Sequence, residues 1–222
     1  MLWSAIRSTL RRQLQEVTAQ AWQDVNLDVY LQIALSILQK EILKIDRMAF
    51  RATETVNLVA GTTDYTLATA TPDAHLGIML VERRSSTTTS YVKQTRRDLD
   101  IIRDSILLGT SSDQPEGGLY AVSALSTIVI YPAPSSAISA GLRVHYIPVL
   151  TQGSDSASPQ LPSPLHWSII LLAKAAALGE TWQETGLVEK RIAEIIGDLP
   201  LYFSRDDGEN PQLRPDGIHT GQ

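Results

Sequence analysis

The sequence predicts an α+β protein: a helical bundle built from the N- and C-terminal helices, an inserted antiparallel β-sandwich or barrel, and an extended C-terminal tail. Three observations carry this. Residues 165–182 (LHWSIILLAKAAALGETW) form the most apolar continuous run in the chain. Residues 27–50 repeat apolar side chains at helical spacing. Between them the period drops to two, and six short strand-like runs follow with few helical crossovers between them. The expected domains are 1–51 with 162–200 (helical bundle), 52–161 (β-rich insertion) and 201–222 (tail).

The 165–182 run is announced by Pro162 and Pro164, which suit the start of a helix and not its interior. His166, Lys174 and Glu180 are too few to cover a polar face, so the helix must be surrounded on most sides. A membrane span needs about 20 apolar residues without a central charge. This run is shorter and carries Lys174 at its middle, so it reads as a buried scaffold helix.

Taken from the start, Leu2, Ile6, Leu10, Leu14 and Val17 make one apolar stripe, which predicts a helix over 2–17. Asp24 or Asn26 is the expected N-cap of the next helix. That helix carries Leu31, Ala34, Leu38, Ile42 and Ile45, widened by Tyr30, Ile33 and Ile37. Alternation over 55–60, turn chemistry at Gly61-Thr62-Thr63-Asp64 and a resumed strand at Tyr65-Thr66-Leu67 predict a β-hairpin. Strands are expected at 77–83, 119–123, 127–131 and 142–147, a short helix within 95–108, and loops at 85–90 and 111–118. A last helix begins at Thr185 or Gly186, presents Val188, Ile192, Ile195 and Leu199, and ends at Pro200.

Composition narrows the function classes. The 222 residues contain 19 Lys and Arg against 24 Asp and Glu, a formal net charge of −5, and no Cys. An acidic balance argues against a protein that coats nucleic acid. The lack of cysteine removes disulfides, thiolate chemistry and Cys-based zinc sites. The first residues show no signal-peptide pattern. The histidines His75, His145, His166 and His219 have no helical metal spacing, and each is expected at the surface or its boundary. His166 and Ser168 lie two apart and would diverge on a helix, so they form no relay. Asp98, Asp100 and Asp104 read as a solvated helix face. The pairs Arg11-Arg12, Arg83-Arg84 and Arg96-Arg97 could touch phosphates, but no aromatic residues interleave with them to stack bases. Catalytic residues, cofactors and metals are therefore not expected.

An ordered set of phrases runs from residue 20 to residue 200: AWQDVNLDVYLQIAL, LVAGTTDYTL, GIMLVER, QPEGGLYAV, TIVIYPAPSSA, LRVHYIPVLT and LPSPLHWSIILLAKAAALGE. This succession resembles the head–tail connector adaptors (head-completion proteins) of tailed bacteriophages, of the podovirus-like kind. Two loops depart from the family pattern. Leu67-Ala68-Thr69 stands where a Leu-Pro pair is usual, and Pro115-Glu116-Gly117-Gly118 stands where Gly-x-Pro is usual. The resemblance implies a structural virion protein and not an enzyme. It implies a homo-oligomeric ring, a dodecamer, assembled in the host cytoplasm and docked beneath the portal protein. Such a ring extends the DNA exit channel and offers a platform to a tail or nozzle protein. Double-stranded DNA would pass without sequence-specific binding, and no membrane is involved. Other classes kept open are a different ring-forming neck or tail-tube protein and a DNA-binding protein. In the polar tail, Phe203, Leu213 and Ile218 are the few apolar anchors, and they are the candidate contacts to the portal or an adjacent subunit. A terminus with no role is the alternative. The loops 85–90 and 111–118 are candidates for facing the tail component.

Overall fold

The structure, a computed structural model, describes residues 1–15, 22–68, 75–108, 118–124, 126–181 and 185–203. It is mixed α+β and divides into two compact units, one of residues 1–49 with 150–222 and one of residues 50–149. The break falls at Val149/Leu150, ahead of the expected boundary at 161/162. The segment from Leu150 to Pro164 belongs with the helices because its backbone is bonded to them. Leu150 N–H donates to Gln39 Oε1 (3.1 Å), and Leu150 C=O accepts from Gln32 Nε2 (2.8 Å).

The helical unit contains α1 (Trp3–Gln13), α2 (Asp24–Ile45), α4 (Leu165–Thr181) and α5 (Thr185–Asp198), followed by a 3-10 turn at Leu199–Leu201. The apolar run forms α4 as expected, and it packs against α1, α2 and α5. Leu165, Ile169, Ile170, Leu172, Ala173 and Ala177 are all buried. Trp3, Ile6 and Leu10 bury the α1 stripe, and Leu27, Leu31, Ala34, Leu38 and Ile42 bury that of α2. Two details differ from expectation. Gln23, not Asp24 or Asn26, is the N-cap of α2 and makes no side-chain cap bond. Asp24 lies inside the first turn, where Arg11 takes its carboxylate. Ile33 stands on the outer side of α2. It is roughly 200° around the helix from Leu31 at 3.6 residues per turn, and the structure leaves it exposed.

The second unit holds β1 (Ala52–Leu58), β2 (Asp64–Thr66), β3 (His75–Arg83), β4 (Val92–Lys93), β5 (Thr95–Arg96), α3 (Leu99–Leu108), β6 (Leu119–Ala124), β7 (Thr127–Tyr131) and β8 (Ile138–Pro148). The strands form two open four-stranded sheets, ordered β1-β8-β3-β4 and β2-β7-β6-β5, and do not close into a barrel. Pairing is antiparallel except for the short parallel pair β5–β6. The predicted hairpin is not one. β1 pairs with β8 and β2 with β7, so the turn at Gly61 carries the chain from one sheet to the other. Gly61 adopts φ +74°, a left-handed conformation that glycine tolerates best. The Tyr65 hydroxyl fastens this crossing. It accepts from Val59 N–H (3.1 Å) and lies within donating distance of the carbonyls of Thr62 (3.0 Å) and Val59 (3.2 Å). A second crossing occurs at Gln94. Its N–H donates to Val81 C=O in the first sheet, while the next residue, Thr95, donates to Gly118 C=O beside the second.

One buried cluster draws on both sheets: Leu58, Ile78, Val81, Leu142, Val144 and Tyr146 from the first, Tyr65, Tyr120, Ile128 and Ile130 from the second. A smaller cluster covers the other face of β6 and β7, where Ile102 of α3 meets Leu119, Ala121, Val129 and Tyr131. Strands buried on both faces need continuous apolar sequence, which is what the TIVIY run supplies.

Two glycines allow a ranked test. A methyl group on Gly61 meets nothing within 4 Å, so Gly61→Ala should cost only the left-handed strain, about 1–2 kcal/mol. At Gly118 (φ +83°) the same methyl sits 2.7 Å from Tyr131 C=O. Gly118→Ala should therefore destabilise more than Gly61→Ala, as read from urea unfolding midpoints of the two variants.

Candidate assembly surfaces

Three of the four histidines are buried, not at the surface or boundary: His75, His145 and His166. His219 lies outside the described residues. Sequence spacing missed them because each is covered from other strands or segments. His145 is held between β1 and β3. Thr53 Oγ1 lies 3.0 Å from Nδ1, and Glu82 Oε2 lies 3.0 Å from Nε2. The same Glu82 oxygen accepts from Arg143 at 3.3 Å, and the Arg143 guanidinium stacks 3.6 Å above the Tyr91 ring. The order hydroxyl–imidazole–carboxylate is that of a proton relay, but its members sit on three neighbouring strands and tie them crosswise. Cross-strand register explains the grouping: Thr53 faces His145, and Glu82 faces Arg143. Among the described residues no group of three or more His, Asp or Glu is placed to hold a metal ion.

Three of the six arginines in the basic pairs, Arg11, Arg83 and Arg84, are engaged inside the chain, as is Arg7. Arg7 donates to Asp28 and to Asp155, each at 2.8 Å, joining α1, α2 and the segment after Leu150. Burial works to lower the Arg7 pKa, yet these two carboxylates outweigh it and raise it. Arg11 donates to Asp24 and to Trp22 C=O, and the hydrogen bond from Arg11 holds the Asp24 carboxyl below its usual range. Arg83 donates to Pro132 C=O (2.6 Å), and burial lowers its pKa. Arg84 donates to the carbonyls of Thr87 and Ser139. Asp98, Asp100 and Asp104 are exposed, in keeping with a solvated face.

Arg12, Arg96, Arg97 and Arg103 face outward, and so do several large apolar residues. On α2, Val25, Val29 and Ile33 are 69%, 54% and 37% exposed. They are spaced four apart, so they form one ridge on the side opposite the buried stripe. Trp167 on α4, Ile101 and Leu107 on α3, and Leu76 on β3 are also exposed. Single exposed hydrophobics need no explanation, but an aligned set marks an interaction surface.

Of the predicted contact residues, Phe203 is 3% exposed, with its N–H on Leu199 C=O (3.1 Å), so its side chain is buried. Leu213 and Ile218 lie outside the described residues. The 85–90 loop is described and bonds to itself: Thr89 Oγ1 donates to Ser86 C=O (3.0 Å) and accepts from Ser86 N–H (3.0 Å). Of the 111–118 loop only Gly118 is described. No helix among the described residues is long and apolar enough to cross a membrane.

The His166 ring donates from Nε2 to Leu161 C=O (3.0 Å), and its burial pushes its pKa below the ordinary 6.5. Below pH 6.5 the unfolded chain takes up this proton and the folded chain does not. Stability should therefore fall as the pH drops from 6.5 towards the depressed folded value, then level off. His166→Gln should show a shallower loss of Tm than the parent between pH 7.5 and 5.

Compared with known proteins, residues 1–212 match a family model described as SU10 adaptor protein. No curated protein matches the chain significantly.

Proposed function

The chain belongs to the SU10 adaptor protein family, and on that premise we propose that it is the subunit of a ring that joins the portal of a tailed-phage capsid to the tail. Membership makes it a structural phage adaptor protein, which supports a place in the virion alongside other head and tail proteins and a role that is not enzymatic. The observation that carries the finer reading is the extent of the match, which takes in both units and not one of them. In this reading twelve copies form the ring, the portal lies on one side, a tail or nozzle protein lies on the other, and the DNA exit channel continues through the middle.

The charge inventory supports passage of DNA without firm binding. Lys- and Arg-rich surfaces hold DNA through release of counterions. Here the net charge is −5, and Arg7, Arg11, Arg83 and Arg84 are committed to partners in their own chain. The segment after Phe203 is the proposed arm. Phe203, which is buried, fixes the base of that arm. Leu213 and Ile218 are the apolar residues offered to the portal or to an adjacent subunit.

The test mixes the purified chain with the portal ring of the same genome and follows co-migration on size exclusion. One form is full length and the other ends at Phe203, which keeps the buried ring in place. A stoichiometric complex that needs residues 204–222 is the expected result. A complex that forms equally well without them removes the arm and keeps the adaptor. Failure to bind a competent portal, with binding to a tail component instead, turns the assignment to a neck or tail-tube ring.

A further inference from the structure

We propose that neighbouring copies of this chain meet head to tail, the outward face of α2 on one copy seating against the C-terminal end of α5 on the next. The proposal rests on the ring reading above and names the surfaces that would build it.

The α2 face has two halves. Val25, Val29 and Ile33 form an aliphatic ridge about 12 Å long at 1.5 Å per residue. Ser36, Lys40 and Lys44 continue the same exposed line. Lys44 contacts Glu41 at 2.6 Å, whereas Lys40 has no ion-pair partner among the described residues. One helix face thus offers bulky aliphatic groups and an unmet cation.

The end of α5 offers the converse. Ala193 and Gly197 are exposed one turn apart, and a methyl group built on Gly197 would meet nothing within 4 Å, so the surface there is low and open. Asp198, the last residue of α5, is exposed and has no ion-pair partner among the described residues. A carboxylate at a helix C-terminus opposes the helix dipole and is offset only by a cation. No described residue supplies one there. Leu201, 60% exposed, adds an apolar contact just beyond. Small seat, unpaired carboxylate and exposed leucine complement ridge and unpaired ammonium. Contacts between unlike surfaces propagate, and they close into a ring when the rotation allows.

The experiment counts bound copies by native mass spectrometry for the chain alone and with the portal ring, using Val29→Asp, Lys40→Asp, Asp198→Lys and the double reversal Lys40→Asp/Asp198→Lys. All these positions are exposed, and circular dichroism checks that each variant is folded. Val29→Asp should abolish assembly. Each single reversal should weaken it by roughly tenfold, and the double reversal should restore it. Singles that assemble like the parent, or a double no better than the singles, overturn these surfaces and leave the adaptor role intact. A parent chain that assembles neither alone nor on its portal overturns both.

Discussion

Covering α4 is the constraint on which the helical unit depends. Its residues are apolar on almost every side, and a helix of that kind is stable only when other elements exclude water from it. α1 and α2 come from the first 45 residues and α5 from the last part of the chain, and all three converge on it. The two chain segments are therefore held in one unit although a hundred residues separate them. Arg7, Gln32 and Gln39 reinforce this closure by bonding the returning segment around Leu150 to Asp155. The bonds of Gln32 and Gln39 satisfy the Leu150 backbone groups, which the closure would otherwise leave unmatched.

The β unit solves a different problem. Short strands are weak alone, and open sheets expose edges. Here the chain passes between the sheets at Gly61 and again at Gln94, so neither sheet is a self-contained local structure. Residues of both sheets share one buried cluster, and α3 covers the far side of β6 and β7. The long strand β8 is central to the first sheet, pairing with β1 on one side and β3 on the other. Through His145 and Arg143 it also carries the polar tie to Thr53 and Glu82.

The polar contacts of a phage adaptor protein bear on how its surfaces are presented to partners. Several ion pairs and arginine hydrogen bonds serve internal closure, while an aliphatic ridge on α2 and a number of charged side chains face outward. Surface charge pairs contribute little in water, but the same charges matter when apolar contact around them excludes solvent. That combination is found along α2 and at the end of α5.

Periodicity alone determined much of this protein. The apolar run at 165–181, the stripes of α1 and α2 and the strands at 119–124 and 127–131 were legible because burial repeats at 3.6 or 2 residues in a local window. The ordered phrases from 20 to 200 were likewise enough to identify the adaptor family. Tertiary structure decided what local windows do not contain. Alternation around Gly61 looks the same for a hairpin and for a crossing between sheets, since only the partner strands distinguish them. Ile33 reads as part of the apolar stripe until the neighbours of α2 determine which side is covered. The three histidines were misjudged because their burial comes from distant strands and segments, and the grouping of Thr53, His145 and Glu82 exists only through β-register. Local spacing writes secondary structure into the sequence; which face meets water is a property of the assembled neighbours.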